Sequence, residues 1–180
     1  MAGKKTGEFG YWLDNQLKEK LPNYRVFYDH GNSELENVGE IQGFYGATAT
    51  RQNILTHVDV MVIGPNDELK LLIEIEDKSI LVPKNIIGTV FSTKMCNQFA
   101  FGTGDAKQYF PVAPETKFII AGFLNPEGGA LEQLENVIQP LIMRFKSLED
   151  GINLKNISFV FEEDIETVLK ALKECVIWVL

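Results

Sequence analysis

The sequence predicts an α/β protein with a mixed central β-sheet flanked by helices. Three observations predict it. Apolar residues recur at helical spacing in four stretches, as at Phe9, Trp12, Leu13, Leu17 and Leu21. Runs of strand length lie between them, alternating in some places and continuously apolar in others. The order reads helix, strand, hairpin, helix, strand, helix, strand, helix. An early antiparallel hairpin followed by helix-linked strands makes the sheet mixed.

Each element has its own signal. Gly7 to Lys20 predicts an amphipathic helix that Pro22 ends. Tyr24 to His30 predicts a strand. Gly31 to Gly46 is polar and contains glycine, and reads as a loop or short hairpin. Leu55 to Ile63 and Leu69 to Lys78 flank Gly-Pro-Asn-Asp and predict a β-hairpin. Lys84 to Phe101 has Ile86, Ile87, Val90, Phe91 and Met95 at helical spacing, although Gly88 weakens the helix. Gly102 to Glu115 reads as a loop. Lys117 to Phe123 is apolar throughout and suits a central strand. Ala130 to Lys146 predicts a helix kinked or split by Pro140. Ile157 to Phe161 is a strand, and Asp164 to about Val176 a closing helix. The apolar ending Ile177-Trp178-Val179-Leu180 is expected to be buried in the core or against a partner subunit.

Composition limits the function classes. The chain has 180 residues and 45% hydrophobic residues, enough for one globular domain over residues 1–180. No apolar run approaches the roughly 20 residues of a membrane span. The first residues, Met-Ala-Gly-Lys-Lys-Thr, carry no apolar leader. Cys96 and Cys175 lie far apart and read as buried reduced thiols, which suits the cytoplasm. No Cys or His pair has the spacing of zinc ligands. The net charge of -8 argues against a general nucleic-acid binder. It leaves room for an enzyme that gathers acids at a metal and bases along a groove. From Lys78 to Lys117 the balance reverses, with Lys78, Lys84, Lys94, Lys107 and Lys117 against Asp105 and Glu115.

The hairpin carries the chemistry. Side chains alternate along a strand, so Leu69, Leu71, Ile73 and Ile75 are expected on one face and Lys70, Leu72, Glu74, Glu76 and Lys78 on the other. Val58, Val60 and Val62 would share one face of the first strand, and His57, Asp59, Met61 and Ile63 the other. A two-residue turn on Asn66-Asp67 then sets Asp59 opposite Glu74 and His57 opposite Glu76, with Cβ atoms roughly 5 Å apart. Like charges so placed call for a cation between them. Oxygen ligands suit Mg²⁺ or Mn²⁺, which stabilises charge on a phosphoryl oxygen and makes water nucleophilic. A lysine in the row can stabilise developing charge. His57 shares the face of Asp59 and is a further candidate beside the metal. Thr48, Thr50, Arg51 and Gln52 suit phosphate contact, and Arg51, Lys84 and Lys94 are the expected substrate-binding cations.

Asp59 followed by Glu76-Asp77-Lys78 resembles the motif of the PD-(D/E)xK nuclease superfamily, which includes restriction endonucleases and archaeal four-way-junction resolvases. The resemblance covers roughly Gly7 to Phe123 and implies a restriction-endonuclease-like αβββαβ core. It implies Asp59 and Glu76 as metal ligands, Lys78 as the catalytic lysine and Glu8 as a helix-borne acid. In this alignment Glu74 is an extra acid beside the metal. A second alignment fills the motif with Glu74-Ile75-Glu76, and there Glu76 replaces the lysine. The expected function is a Mg²⁺-dependent DNA endonuclease of restriction type, working as a homodimer so that two sites meet two strands. One alternative is a catalytically inactive protein of this fold that serves as a nucleic-acid or protein-binding subunit. Another is an unrelated α/β protein whose strand acids are surface charges.

Overall fold

The computed structural model describes residues 2–76, 83–123, 132, 134–147, 156–162 and 164–180. Two sheets lie face to face. The first holds five strands in the order β1 (Arg25–Tyr28), β4 (Val60–Ile63), β5 (Leu69–Glu76), β8 (Lys117–Phe123) and β9 (Ile157–Glu162). β1, β4 and β5 are antiparallel neighbours, and β8 and β9 run parallel to β5. The mixed α/β fold expected from the element order is therefore present. The second sheet is antiparallel, in the order β3 (Ile54–His57), β2 (Ile41–Phe44), β6 (Gln98–Phe101) and β7 (Gln108–Pro111).

Helices α1 (Ala2–Lys20) and α4 (Ile165–Val179) cover one face of the five-stranded sheet. Phe9, Leu13, Leu17, Val168 and Leu172 pack there on Val60, Val62, Leu71, Ile73 and Ile119. The other face meets the second sheet and α2 (Pro83–Met95). Phe99, Phe101 and Phe110 pack there on Phe27, Met61, Leu69 and Leu72. β8 is buried on both sides, which is why Lys117 to Phe123 reads as continuously apolar. The π-helical turn Leu134–Ile138 passes into α3 (Gln139–Ser147), with Pro140 in its first turn. The helical irregularity thus falls where Pro140 predicts it. Among the described residues, no helix is long and apolar enough to cross a membrane.

Several expectations are corrected. The stretch Leu55 to Ile63 is two strands in two sheets, not one, because the chain crosses between sheets at Val58-Asp59. Val58 therefore lies in the core between the sheets with Met61, apart from Val60 and Val62. β6 and β7 occupy segments read as the end of a helix and as loop, and β2 lies in the segment read as a loop or short hairpin. Gly43 made β2 look irregular, but a Cβ there would come within 2.7 Å of the Phe99 ring and 2.8 Å of Cys96 Sγ, so the close packing needs glycine. At the C-terminus the helix continues to Val179. Val176 is buried and Leu180 packs against the core, while Ile177 on the outer side is exposed and so falls under the partner-subunit half of the expectation.

The hairpin turn also differs. Pro65–Asp67 form a three-residue loop closed by the Gly64 N–H donating to the Glu68 carbonyl at 2.8 Å. Asn66 and Asp67 have φ of 64° and 61°, a left-handed conformation these two residue types tolerate. The extra loop residue is cancelled by a bulge at Lys70, because Val62 pairs with Leu71 and Ile63 with Leu69. Val60↔Ile73 and Met61↔Leu72 then pair as a two-residue turn would have set them. The bulge has one cost to the predicted pattern: Leu69 joins the face of Leu72 and not that of Leu71.

Candidate functional site

The site forms where β4 separates from β5. The Asp59 N–H donates to the Ile73 carbonyl at 3.0 Å, the last backbone bond on that side of the ladder. Upstream the chain leaves for the second sheet, while β5 continues to Glu76 with only β8 beside it. The Ile75 N–H has lost its strand partner, and Asp59 Oδ2 accepts from it at 2.7 Å. The Asp29 N–H donates to the Asp59 carbonyl at 2.9 Å and ties the end of β1 to the same point. Three strand ends therefore converge on Asp59.

This geometry brings the charge of Glu76 to bear on Asp59. Continuing the ladder one step past Val60↔Ile73 sets Asp59 beside Glu74. The carboxylate instead turns along β5 toward the Ile75 N–H, and so toward Glu76. Glu76 is buried, 8% exposed, and its charge raises the Asp59 pKa. Glu74 is half-buried on the same strand. The Asp59 side chain is 14% exposed. Burial is the main cause that pushes its carboxyl up to about 6; the charges of Asp29 and Glu76 push the same way, against the Ile75 N–H and His30.

His30, not His57, lies beside Asp59. His57 pairs with Gln42 in the second sheet, and its Nε2 lies 3.0 Å from Glu40 Oε1. It is not opposite Glu76, because β3 and β4 belong to different sheets. His30 Nε2 instead lies 4.0 Å from Asp59 Oδ1 and 3.9 Å from Asp29 Oδ2. Asp29 and His30 are site residues that the sequence reading missed. Their signal was the Asp-His ending of the first predicted strand, but placing them beside Asp59 required the Tyr28↔Val60 register.

The other candidates are scattered. Glu8 is half-exposed on α1, 3.4 Å from Lys5, which also binds Glu166 at 2.7 Å. Glu8 and His30 line opposite walls of one groove. Gly7 lets those walls approach, since a Cβ there would fall 2.2 Å from the His30 carbonyl oxygen. Arg51 is exposed in the turn before β3, separated from Asp59 by the length of that strand. Lys84 and Lys94 sit at opposite ends of α2, ten residues and so about 15 Å apart along the axis. Asp77 and Lys78 lie outside the described residues.

Asp29, Asp59 and Glu76 offer only carboxylate oxygens, the donors a hard divalent cation takes. A cation at this point would favour the ionised form of Asp59 that burial disfavours. Among the described residues, no group of three or more His, Cys, Asp and Glu side chains is arranged to hold a metal by itself. Mg²⁺ commonly takes one or two carboxylates and completes its shell with water and substrate phosphate. Asp59 with Glu76 is the unit that fits that description. Comparison of the chain with protein families, with curated proteins and with solved structures finds no match.

Proposed function

We propose that the protein is a DNA endonuclease that uses Mg²⁺ or Mn²⁺, of the PD-(D/E)xK kind. One observation carries the proposal: the Asp59 carboxyl is buried at the parting of two strands with the charge of Glu76 beside it. Burying like charges together is unfavourable, and a divalent cation offsets it. The element order accords with the reading. With the strands of the second sheet (β2, β3, β6 and β7) set aside as insertions, α1, β1, β4, β5, α2 and β8 run α-β-β-β-α-β, with β8 parallel to β5.

Asp59 and Glu76 would hold the cation, which when bound polarises a phosphoryl oxygen and makes water nucleophilic. The Ile75 N–H, which donates to Asp59 Oδ2, would help hold that carboxylate in place for a cation. Lys78, two residues past Glu76, is the residue to stabilise negative charge developing on the phosphate. Glu74 and Glu8 are additional acids, one on the same strand and one on the groove wall. Lys84 and Lys94 would meet different phosphates of an extended duplex, since they are too far apart to share one, and Arg51 would be a further phosphate contact. A two-fold dimer would supply one site for each strand.

Plasmid DNA incubated with the protein in Mg²⁺, Mn²⁺ or EDTA tests the reading. Cleavage should need the metal and should fall at least about 10²-fold in Glu76→Gln and in Lys78→Ala. Equal cutting by both variants and the parent would remove these residues from the site. DNA binding that needs no metal, with no cleavage of duplex, branched or single-stranded DNA, would instead identify an inactive binding subunit.

A further inference from the structure

We infer that the groove between α1 and the end of β1 holds an unpaired nucleotide of the DNA strand, so that the preferred substrate contains bases outside the double helix. The inference rests on the endonuclease reading and names the substrate class of the same site.

The groove is open to solvent and has a volume of about 850 Å³. Cavities that take small organic ligands run ~300–1,000 Å³. One wall is the helix face bearing Lys4, Glu8 and Tyr11, at the i, i+4 and i+7 positions that bring side chains into line. The other wall carries His30 and Asn32. His30 joins the groove to the carboxylates, because its Nε2 is 4.0 Å from Asp59 Oδ1. A strand whose phosphate sits at Asp59 and Glu76 therefore has this groove as its neighbour.

The groove's chemistry selects the occupant. Tyr11 is 56% exposed although it is large and aromatic. It offers a ring face on which a base can stack, and every base has a π-face to match. In a paired duplex the base faces are covered by their neighbours and only the edges show in the grooves. An unpaired base can turn its face to Tyr11. Lys4 and His30 supply donors for the sugar-phosphate on that side. Glu8 is the one acid on the groove wall, and Lys5 lies 3.4 Å from it.

Fluorescence anisotropy of the full chain with two labelled duplexes, in Ca²⁺, tests the inference. One duplex is fully paired, and the other carries a central bulge of unpaired thymidines. The bulged duplex should bind about tenfold more tightly, a preference lost in Tyr11→Ala and kept in Tyr11→Phe. The phenylalanine variant preserves the ring and guards against a loss of fold. Equal affinity for the two duplexes, or an undiminished preference in Tyr11→Ala, would overturn the inference even if metal-dependent cleavage is found. A Tyr11-dependent preference without cleavage in Mg²⁺ or Mn²⁺ would uphold the groove and overturn the hydrolytic reading. Failure to bind either duplex would overturn both.

Discussion

Replacing Asp59 with asparagine is expected to stabilise the protein at pH 8 and to abolish metal-dependent cleavage. Asparagine still offers an oxygen to the Ile75 N–H but carries no charge into the buried position. The sign follows from proton binding. The folded pKa, about 6, lies above the ordinary value of 3.8, so the folded state binds the proton more tightly than the unfolded chain does. Below about pH 3 both states are protonated and the carboxyl costs nothing. As pH rises from about 4 to 6 the unfolded chain ionises first and stability falls. Above pH 6 the full cost remains, about 3 kcal/mol from a shift of roughly two units. Asp59→Asn should therefore raise the melting temperature at pH 8 by roughly 6–12 °C, and the gap should close below about pH 3. Thermal unfolding across that pH range measures it. A gap that does not change with pH would show that burial of the charge is not what sets the energy of Asp59. A site residue that lowers stability is a familiar trade between function and stability.

Two glycine-to-alanine substitutions in helices should have opposite signs. Helix propensity alone favours alanine by up to about 1 kcal/mol. At Gly88 in α2 nothing lies within 4 Å of the added Cβ, so the propensity gain should appear in full. At Gly7 the Cβ would meet the His30 carbonyl oxygen at 2.2 Å and its carbon at 2.8 Å. Those atoms are backbone, so no side-chain rotation relieves the contact and the helix must move. Overpacking of this kind costs about 1–3 kcal/mol and outweighs the propensity term. Gly7→Ala should lower the melting temperature by several degrees, while Gly88→Ala should raise it slightly. Because His30 and the groove wall move with α1, Gly7→Ala should also lower cleavage; Gly88→Ala should not. Equal effects at the two positions would contradict the close packing of α1 against β1.

The long elements were legible in the sequence because their hydrophobic periods are sustained. α1, β5, β8 and α4 each bury a regular set of residues, and β5 kept its expected register at Asp59. Of the second sheet, β3 was legible as the start of the hairpin strand, but its pairing with β2, β6 and β7 was not: β6 and β7 hide in segments that read as the end of a helix and as loop, and Gly43 imitates a loop in β2. The extent of α1 was misjudged for a related reason. Gly7 reads as a helix boundary, but it lies inside the helix, where the approach of His30 demands it. At the site, Asp59, Glu74 and Glu76 could be found from alternation along two strands. Asp29 and His30 could not, because their proximity to Asp59 depends on a pairing between β1 and β4, separated by the excursion through β2 and β3. The displacement of His57 has the same origin, since alternation assumes one continuous strand and the chain changes sheets at Val58-Asp59.

Calorimetric titration of Mn²⁺ into the protein, into Asp59→Asn and into Glu76→Gln tests most directly whether these two carboxylates form a divalent-cation site. The parent should bind the ion, and each variant should bind it about 10–100-fold more weakly, while all three remain folded. Binding by the parent that both variants retain unchanged, or no binding by the parent at all, would contradict the account.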